Sequence, residues 1–274
     1  MRNLFSCGTL IIAAAVTPCN ARSLPQPDGS LRIVLVAGRP AVDGVFLNGQ
    51  GPWRFLLDTG AQTNQVEASI ARKLGLLPAF RTAIATTAGD ALVTGGRVAE
   101  ISLGSATATN QEFLFTGLDG VRALAANIHG VLGQEFLSHF DYLLDFAGHR
   151  LVFGGPVPDG GSRAVMNLVD GRPTVETDRG KLVLDSGTET AILFGASSTG
   201  SARRIVTASG SASVSAVQNL RLRIAGRVYA TAAASLPRVS PQEDGLLPAS
   251  LFHAVYVSNS GKYLVLDPAT RSNR

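Results

Sequence analysis

Cysteine, aromatic side chains and charge are all scarce in this chain. Its 274 residues include 2 cysteines, Cys7 and Cys19, so everything beyond them forms no disulfide and offers no thiolate nucleophile. Aromatic residues make up 6% and charged residues 16%, and the arginines are scattered rather than clustered. That pattern argues against a nucleic-acid surface despite a net charge of +4. There is no long heptad pattern and no H-E-x-x-H. His129, His139, His149 and His253 lack the spacing of zinc ligands. No G-x-S-x-G elbow, P-loop or dinucleotide fingerprint occurs, so neither a metal nor another cofactor is expected. Glycosidases also work with two carboxylates, but few aromatics are on hand here to stack on sugar.

What the chain has in quantity is apolar residues, at 45%, together with 30 glycines and 13 prolines. With its many Val, Thr and Ala, that composition predicts a turn-rich, all-β protein with a sizeable core. The length suits two modest domains. At the start, Arg2, the apolar stretch Leu4 to Val16 and Cys19-Asn20-Ala21 read as a signal peptide over residues 1–21, implying a periplasmic or secreted protein. The stretch is too short to span a bilayer comfortably, although an uncleaved anchor is the alternative. A lipoprotein cut before Cys19 is disfavoured by Pro18, which stands where a small residue is needed.

One stretch occurs twice. Arg54-Phe55-Leu56-Leu57-Asp58-Thr59-Gly60-Ala61 is matched by Lys181-Leu182-Val183-Leu184-Asp185-Ser186-Gly187-Thr188. Each is a short aliphatic strand running into a carboxylate, a hydroxyl and a glycine. A carboxylate at the end of such a strand sits where ionising it is costly, and glycine allows a sharp turn and close approach. One copy alone is better read as a plain strand end with an Asp in a turn; its repetition reverses that reading.

The surroundings repeat as well. Strands are predicted over Leu31–Ala37 and Val45–Leu47, with Asn48-Gly49 turning the chain so that Trp53–Asp58 returns antiparallel. Val66, Ile70 and Leu74 share a helical face, with Asn64 and Glu67 as a capping pair and Gly75 as the stop. Thr86, Thr87, Ala88, Gly89 and Asp90 form a hairpin tip flanked by strands at Arg81–Ala85 and Ala91–Thr94. Further strands are predicted over Val98–Leu103, Glu112–Phe115, Phe140–Phe146 and Arg150–Phe153, with Gly130 to Leu137 between them. Gly154 to Ser162 reads as a linker. Beyond it, Val165–Val169, Asp170-Gly171, Pro173–Thr177, Thr207 to Gly210, Leu220–Ile224, Asp244 to Phe252 and Gly261–Leu266 repeat the programme. We read an internal duplication of roughly 110 residues. The domain division is 1–21 signal peptide, 22–153 first lobe, 154–162 linker and 163–274 second lobe.

The two Asp-Thr/Ser-Gly-Ala/Thr motifs resemble the active-site signature of aspartic proteases, the retropepsin-like and pepsin-like group. The resemblance extends to the Gly130–Leu137 and Asp244–Phe252 elements and covers about residues 31 to 268. It implies two homologous lobes, each a closed or partly open β-barrel with a short helix, and an active-site cleft between them. It implies Asp58 and Asp185 as the catalytic pair of an exported endopeptidase. Thr59, Gly60, Ala61, Ser186, Gly187 and Thr188 would support the site, the two hydroxyls bonding across the lobe interface or only within their own turns. Thr86 to Asp90 falls where the family's flap closes over substrate. A peptide or protein substrate and a monomeric state follow. Two carboxylates about 3 Å apart repel by about 5 kcal/mol at an effective dielectric near 20, so they would share one proton.

Three features depart from the family's pattern. The hairpin tip has no tyrosine, Pro248 stands where the second lobe's glycine belongs, and Gly195 to Ala202 is Ser/Gly-rich in place of a helix. Two other readings follow: a non-catalytic peptide-binding protein on the same fold, and a homodimer that uses Asp58 alone.

Overall fold

The computed structural model describes residues 29–86, 89–122, 125, 127–196, 202–207, 210–238 and 242–269. The expected signal peptide, and Thr87 and Ala88 of the expected hairpin tip, lie outside them. In the first half the strands are β1 (Gly29–Val36), β2 (Arg39–Leu47), β3 (Gln50–Leu57), β4 (Asn64–Glu67) and β5 (Phe80–Thr86). They continue with β6 (Gly89–Leu103), β7 (Ala106–Thr116), β8 (Gly130–Leu132), β9 (Tyr142–Asp145) and β10 (Arg150–Phe153). Three short helices are interspersed: α1 (Ala68–Lys73), α2 (Asp119–Arg122) and α3 (Gln134–Leu137).

The second half opens with β11 (Ser162–Val165), β12 (Asn167–Val169), β13 (Arg172–Thr177), β14 (Gly180–Asp185) and β15 (Ala191–Phe194). It continues with β16 (Ala202–Thr207), β17 (Gly210–Ile224), β18 (Arg227–Leu236) and β19 (Gly245–Pro248), and ends with β20 (Ala254–Ser258) and β21 (Tyr263–Leu266). A single 3₁₀ turn, Ala249–Leu251, follows β19 where α3 follows β8.

The strand orders of the two halves match. The first runs β2-β3-β8-β4-β7-β6-β5, and the second β13-β14-β19-β15-β18-β17-β16. In each, the strand leading to the Asp motif lies parallel to the later aliphatic strand: Leu57 opposite Leu132, and Leu184 opposite Leu247. These strands sit inside the protein, which is why they read as unbroken aliphatic runs rather than as alternating patterns. The sheets are partly ring-like rather than clear barrels. In the first half Val45–Leu47 of β2 pairs with Ile101–Leu103 of β6 and brings the sheet back on itself. No such pairing joins β13 to β17 among the described residues.

A third sheet joins the halves, in the order β1-β10-β9-β20-β21-β11. At its centre β9 and β20 run antiparallel, with Tyr142 opposite Val257 and Asp145 opposite Ala254. Tyr142 and Ala254 are the first residues of the two equivalent strands, Asp145 is the last of β9, and β20 runs one residue past Val257 to Ser258. The register is therefore unchanged by exchanging the halves, as a two-fold axis between the strands requires. Polar ties reinforce the seam. Asn259 Nδ2 donates to the carbonyls of Leu137 (3.1 Å) and Phe140 (2.7 Å), while Asp141 accepts from Ser260 N (2.8 Å) and Ser258 Oγ (3.1 Å). One apolar core runs through both halves, holding Leu57 and Leu132 together with Leu184 and Leu247.

Two local expectations change. The predicted strands Ala91–Thr94 and Val98–Leu103 are one 15-residue strand, β6. The predicted helix is confined to Ala68–Lys73, because Asn64 to Glu67 instead forms β4, parallel to β7. Asn64 does not cap it. Gly75 does stop it: Gly75 N donates to Arg72 O and Leu76 N to Ala71 O, the paired bonds of a glycine-terminated helix.

Candidate active site

Strands β3 and β14 deliver Asp58 and Asp185 to facing loops. Asp58 N donates to Leu132 O at 2.9 Å, which fixes the end of β3 to its parallel neighbour. Within each loop an amide turns back onto the carboxyl: Gly60 N to Asp58 Oδ1 at 2.9 Å, and Gly187 N to Asp185 Oδ1 at 2.7 Å. The two loops touch through these glycines. A side chain on Gly60 would meet Asp185 Cγ at 2.5 Å, and one on Gly187 would meet Asp58 Oδ2 at the same distance. Any Cβ here would push the carboxyls apart, so the glycine is required by close approach.

The hydroxyls lock the loops reciprocally. Thr59 Oγ1 donates to Leu184 O (2.7 Å) and accepts from Ser186 N (2.9 Å). Ser186 Oγ donates to Leu57 O (2.7 Å) and accepts from Thr59 N (3.0 Å). Both bonds of each hydroxyl cross between the halves, so the local-turn alternative does not hold. Ala61 O accepts from Gln134 N, and Thr188 Oγ1 bonds within its own turn to Thr190 O at 3.1 Å.

Asp58 and Asp185 are each 8% exposed, and each carboxyl lies against the glycine of the other's loop, close enough for the two to interact directly. Burial raises the pKa of Asp58, opposed by the amide of Gly60, the bond to Asp185, the amide of Ala61 and the charge of Arg39. Asp185 is raised well above the ordinary carboxylate range, by burial first and then by the charge of Asp58, against the Gly187 amide and Arg172. Both carboxyls are thus harder to ionise than free ones, Asp185 the more so, and two such neighbours share one proton as a pair.

The loops are supported differently. In the first half Asn64 is fully buried and its Oδ1 accepts from Gly133 N at 3.0 Å, while Gln134 Nε2 donates to Thr59 O at 2.8 Å. By strand register the second-half counterparts of Asn64 and Gly133 are Ala191 and Pro248. The acceptor and the N–H are missing together, so neither is left buried without a partner. Pro248 is thus accommodated, and the second Asp loop keeps its parallel pairing, Asp185 opposite Pro248.

Of the hairpin tip, Thr86 pairs with Gly89 and Ala85 with Asp90, closing a β5–β6 hairpin; Thr207 and Gly210 pair in the same way between β16 and β17. Sequence reasoning missed two arginines. Arg39 is buried and Arg172 nearly so, and each contributes to the field at one aspartate. The signal was present as the repeated Gly-Arg-Pro at 38–40 and 171–173.

Residues 43–136 match the family model described as Aspartyl protease, a segment that contains Asp58 and ends at Phe136. No curated protein matches the chain. Among solved structures, a retropepsin-like aspartic protease from Rickettsia conorii is similar at 18% identity, covering 47% of this chain and 90% of that one with a TM-score of 0.34.

Proposed function

We propose that this aspartic-type peptidase is an exported endopeptidase that works as a single chain and hydrolyses peptide bonds with a water activated between Asp58 and Asp185. The observation that carries the proposal is the buried pair of facing Asp loops clamped by Thr59 and Ser186, with both carboxyls made harder to ionise by burial. Ionised Asp58 takes a proton from water as its oxygen bonds to the scissile carbonyl carbon, and Asp185 gives its proton to the carbonyl oxygen. The resulting gem-diol collapses, the C–N bond breaks, the amine leaves with a proton from Asp58, and Asp185 recovers the diol proton. Substrate binds extended between the halves, in part through backbone hydrogen bonds, with the Thr86–Asp90 hairpin above it. Export rests on the signal-like segment 1–21 and implies a periplasmic or secreted enzyme.

The test is incubation of the chain lacking residues 1–21 with a mixed peptide library at several pH values, alongside Asp58→Asn and Asp185→Asn. Cleavage by the parent protein and none by either variant is expected; cleavage that persists in both variants overturns the reading. The absence of tyrosine from the 86–90 hairpin favours one other reading, a peptide-binding protein without turnover. Tight peptide binding with no cleavage at any pH would select it. An active dimer indifferent to Asp185→Asn would select the homodimer that uses Asp58 alone.

A further inference from the structure

The two halves carry equivalent hairpins. Val36-Ala37-Gly38-Arg39 and Val169-Asp170-Gly171-Arg172 are two-residue turns with both central residues at positive φ: 44° and 72° in the first, 50° and 76° in the second. Each hairpin reaches the Asp loop of the opposite half. On one side Arg39 Nε donates to Gly187 O at 2.8 Å, and its Nη1 lies 3.5 Å from Glu189 Oε2. On the other side the contact is neutral, Gln62 Nε2 donating to Asp170 O at 2.9 Å. Gln62 and Glu189 hold the same position relative to their aspartates. Arg172 pairs with carboxylates of its own half: Nη2 lies 3.0 Å from buried Glu243 Oε1 and 3.5 Å from Asp170 Oδ2.

We propose that Arg39 is a positioning residue of the aspartate pair, holding the opposite Asp loop through Gly187 and setting its buried cation behind the glycine that lies against the Asp58 carboxyl. The inference rests on Asp58 and Asp185 being the working pair. Its geometry is a short chain: Arg39 Nη1 is anchored on Ala37 O at 2.6 Å, Nε holds the Gly187 carbonyl, and Gly187 lies against the Asp58 carboxyl while its N–H serves Asp185. A buried guanidinium held by two carbonyls keeps its charge out of water, and that charge favours the ionised form of Asp58. Its counter-ion Glu189 is 47% exposed and so neutralises it weakly, whereas Glu243, at 4%, neutralises Arg172 closely. The charged groups facing the pair are thus Arg39, with Glu189 behind it, and Arg172, with Asp170 and Glu243 behind it.

The experiment is the pH profile of kcat/KM for the parent, Arg39→Gln, Arg39→Lys and Glu189→Gln. In Arg39→Gln, kcat falls on the order of ten-fold with KM little changed, and the low-pH limb moves to higher pH, because Asp58 ionises less readily. Arg39→Lys returns the limb toward its original position without restoring kcat fully, since an ammonium does not reproduce the forked contact. Glu189→Gln moves the limb the opposite way, to lower pH, and carries the test if Arg39→Gln does not fold. Limbs that coincide with the parent in all folded variants overturn the proposal, whatever happens to the rate. Should the parent cleave no peptide, the catalytic reading fails separately. The same shifts are then sought in the ¹³C carboxyl titration of Asp58, where their absence overturns the Arg39 proposal.

Discussion

At the scale of single residues, the buried carboxyl pair is held at the expense of stability. Asp185 has its pKa raised by folding, so the folded protein binds that proton more tightly than the unfolded chain. The resulting stabilisation is fully present below the ordinary carboxyl value of about 4 and is lost as pH rises through the folded value. Asp185→Asn keeps an acceptor for Gly187 N and removes the buried charge conflict. Its thermal midpoint is therefore expected to exceed the parent's by a margin that grows with pH, as differential scanning fluorimetry from pH 3 upward would reveal. Activity should decline over the same rise, as the shared proton is lost. The hydroxyl grip behaves oppositely. Thr59→Val orphans Leu184 O and Ser186 N, each buried, at a cost of about 1–3 kcal/mol apiece, read from urea unfolding. The two aspartates and the two hydroxyls were legible in the sequence because the motif repeats. Arg39 was marked only by the repeated Gly-Arg-Pro, and an arginine after a turn looks like a solvated one until its burial is known.

At the scale of elements, Asn64 shows how a local pattern misleads. Asn64 followed by Glu67 reads as a helix cap, yet its partner is Gly133 N, distant in sequence and adjacent only through the β4–β8 pairing. The strand took precedence because the amide of Gly133 must be satisfied in a dry place. Pro248 was legible as a departure, but its harmlessness was not, since that depends on Ala191 lying opposite. Two outcomes test the pairing. Asn64→Ala should cost about 1–3 kcal/mol by stranding the Gly133 amide, lowering the thermal midpoint by a few degrees. Ala191→Asn should also destabilise, because Pro248 has no hydrogen to offer the new side chain. A stable Ala191→Asn protein would show that the two loops are not supported as described. Elsewhere the local chemistry was sufficient: Asn48-Gly49 turns β2 into β3, with φ of 50° and 73°.

At the scale of the whole molecule, the seam through β9 and β20 was beyond sequence reasoning. Its six strands come from three distant stretches, and nothing local marks which edges meet. The duplication itself was readable from the order of elements, and the matching strand orders of the halves follow from it. Because the β9–β20 register is unchanged by exchanging the halves, a fragment ending at Phe153 should pair β9 with a second copy of itself. Analytical ultracentrifugation should find that fragment dimeric and the full chain monomeric; a monomeric fragment would argue against the self-complementary seam. The helix α2 of the first half also packs against β16 and β17 of the second, so the halves meet at more than the seam. The order in which the strands are synthesised has a further effect. β21, the last described strand, lies between β11 and β20, and both Asp loops borrow their hydroxyl clamp from the opposite half. A growing polypeptide therefore cannot close the Asp58–Asp185 pair until the second Asp loop has been made and has met the first, whatever the first half has already folded.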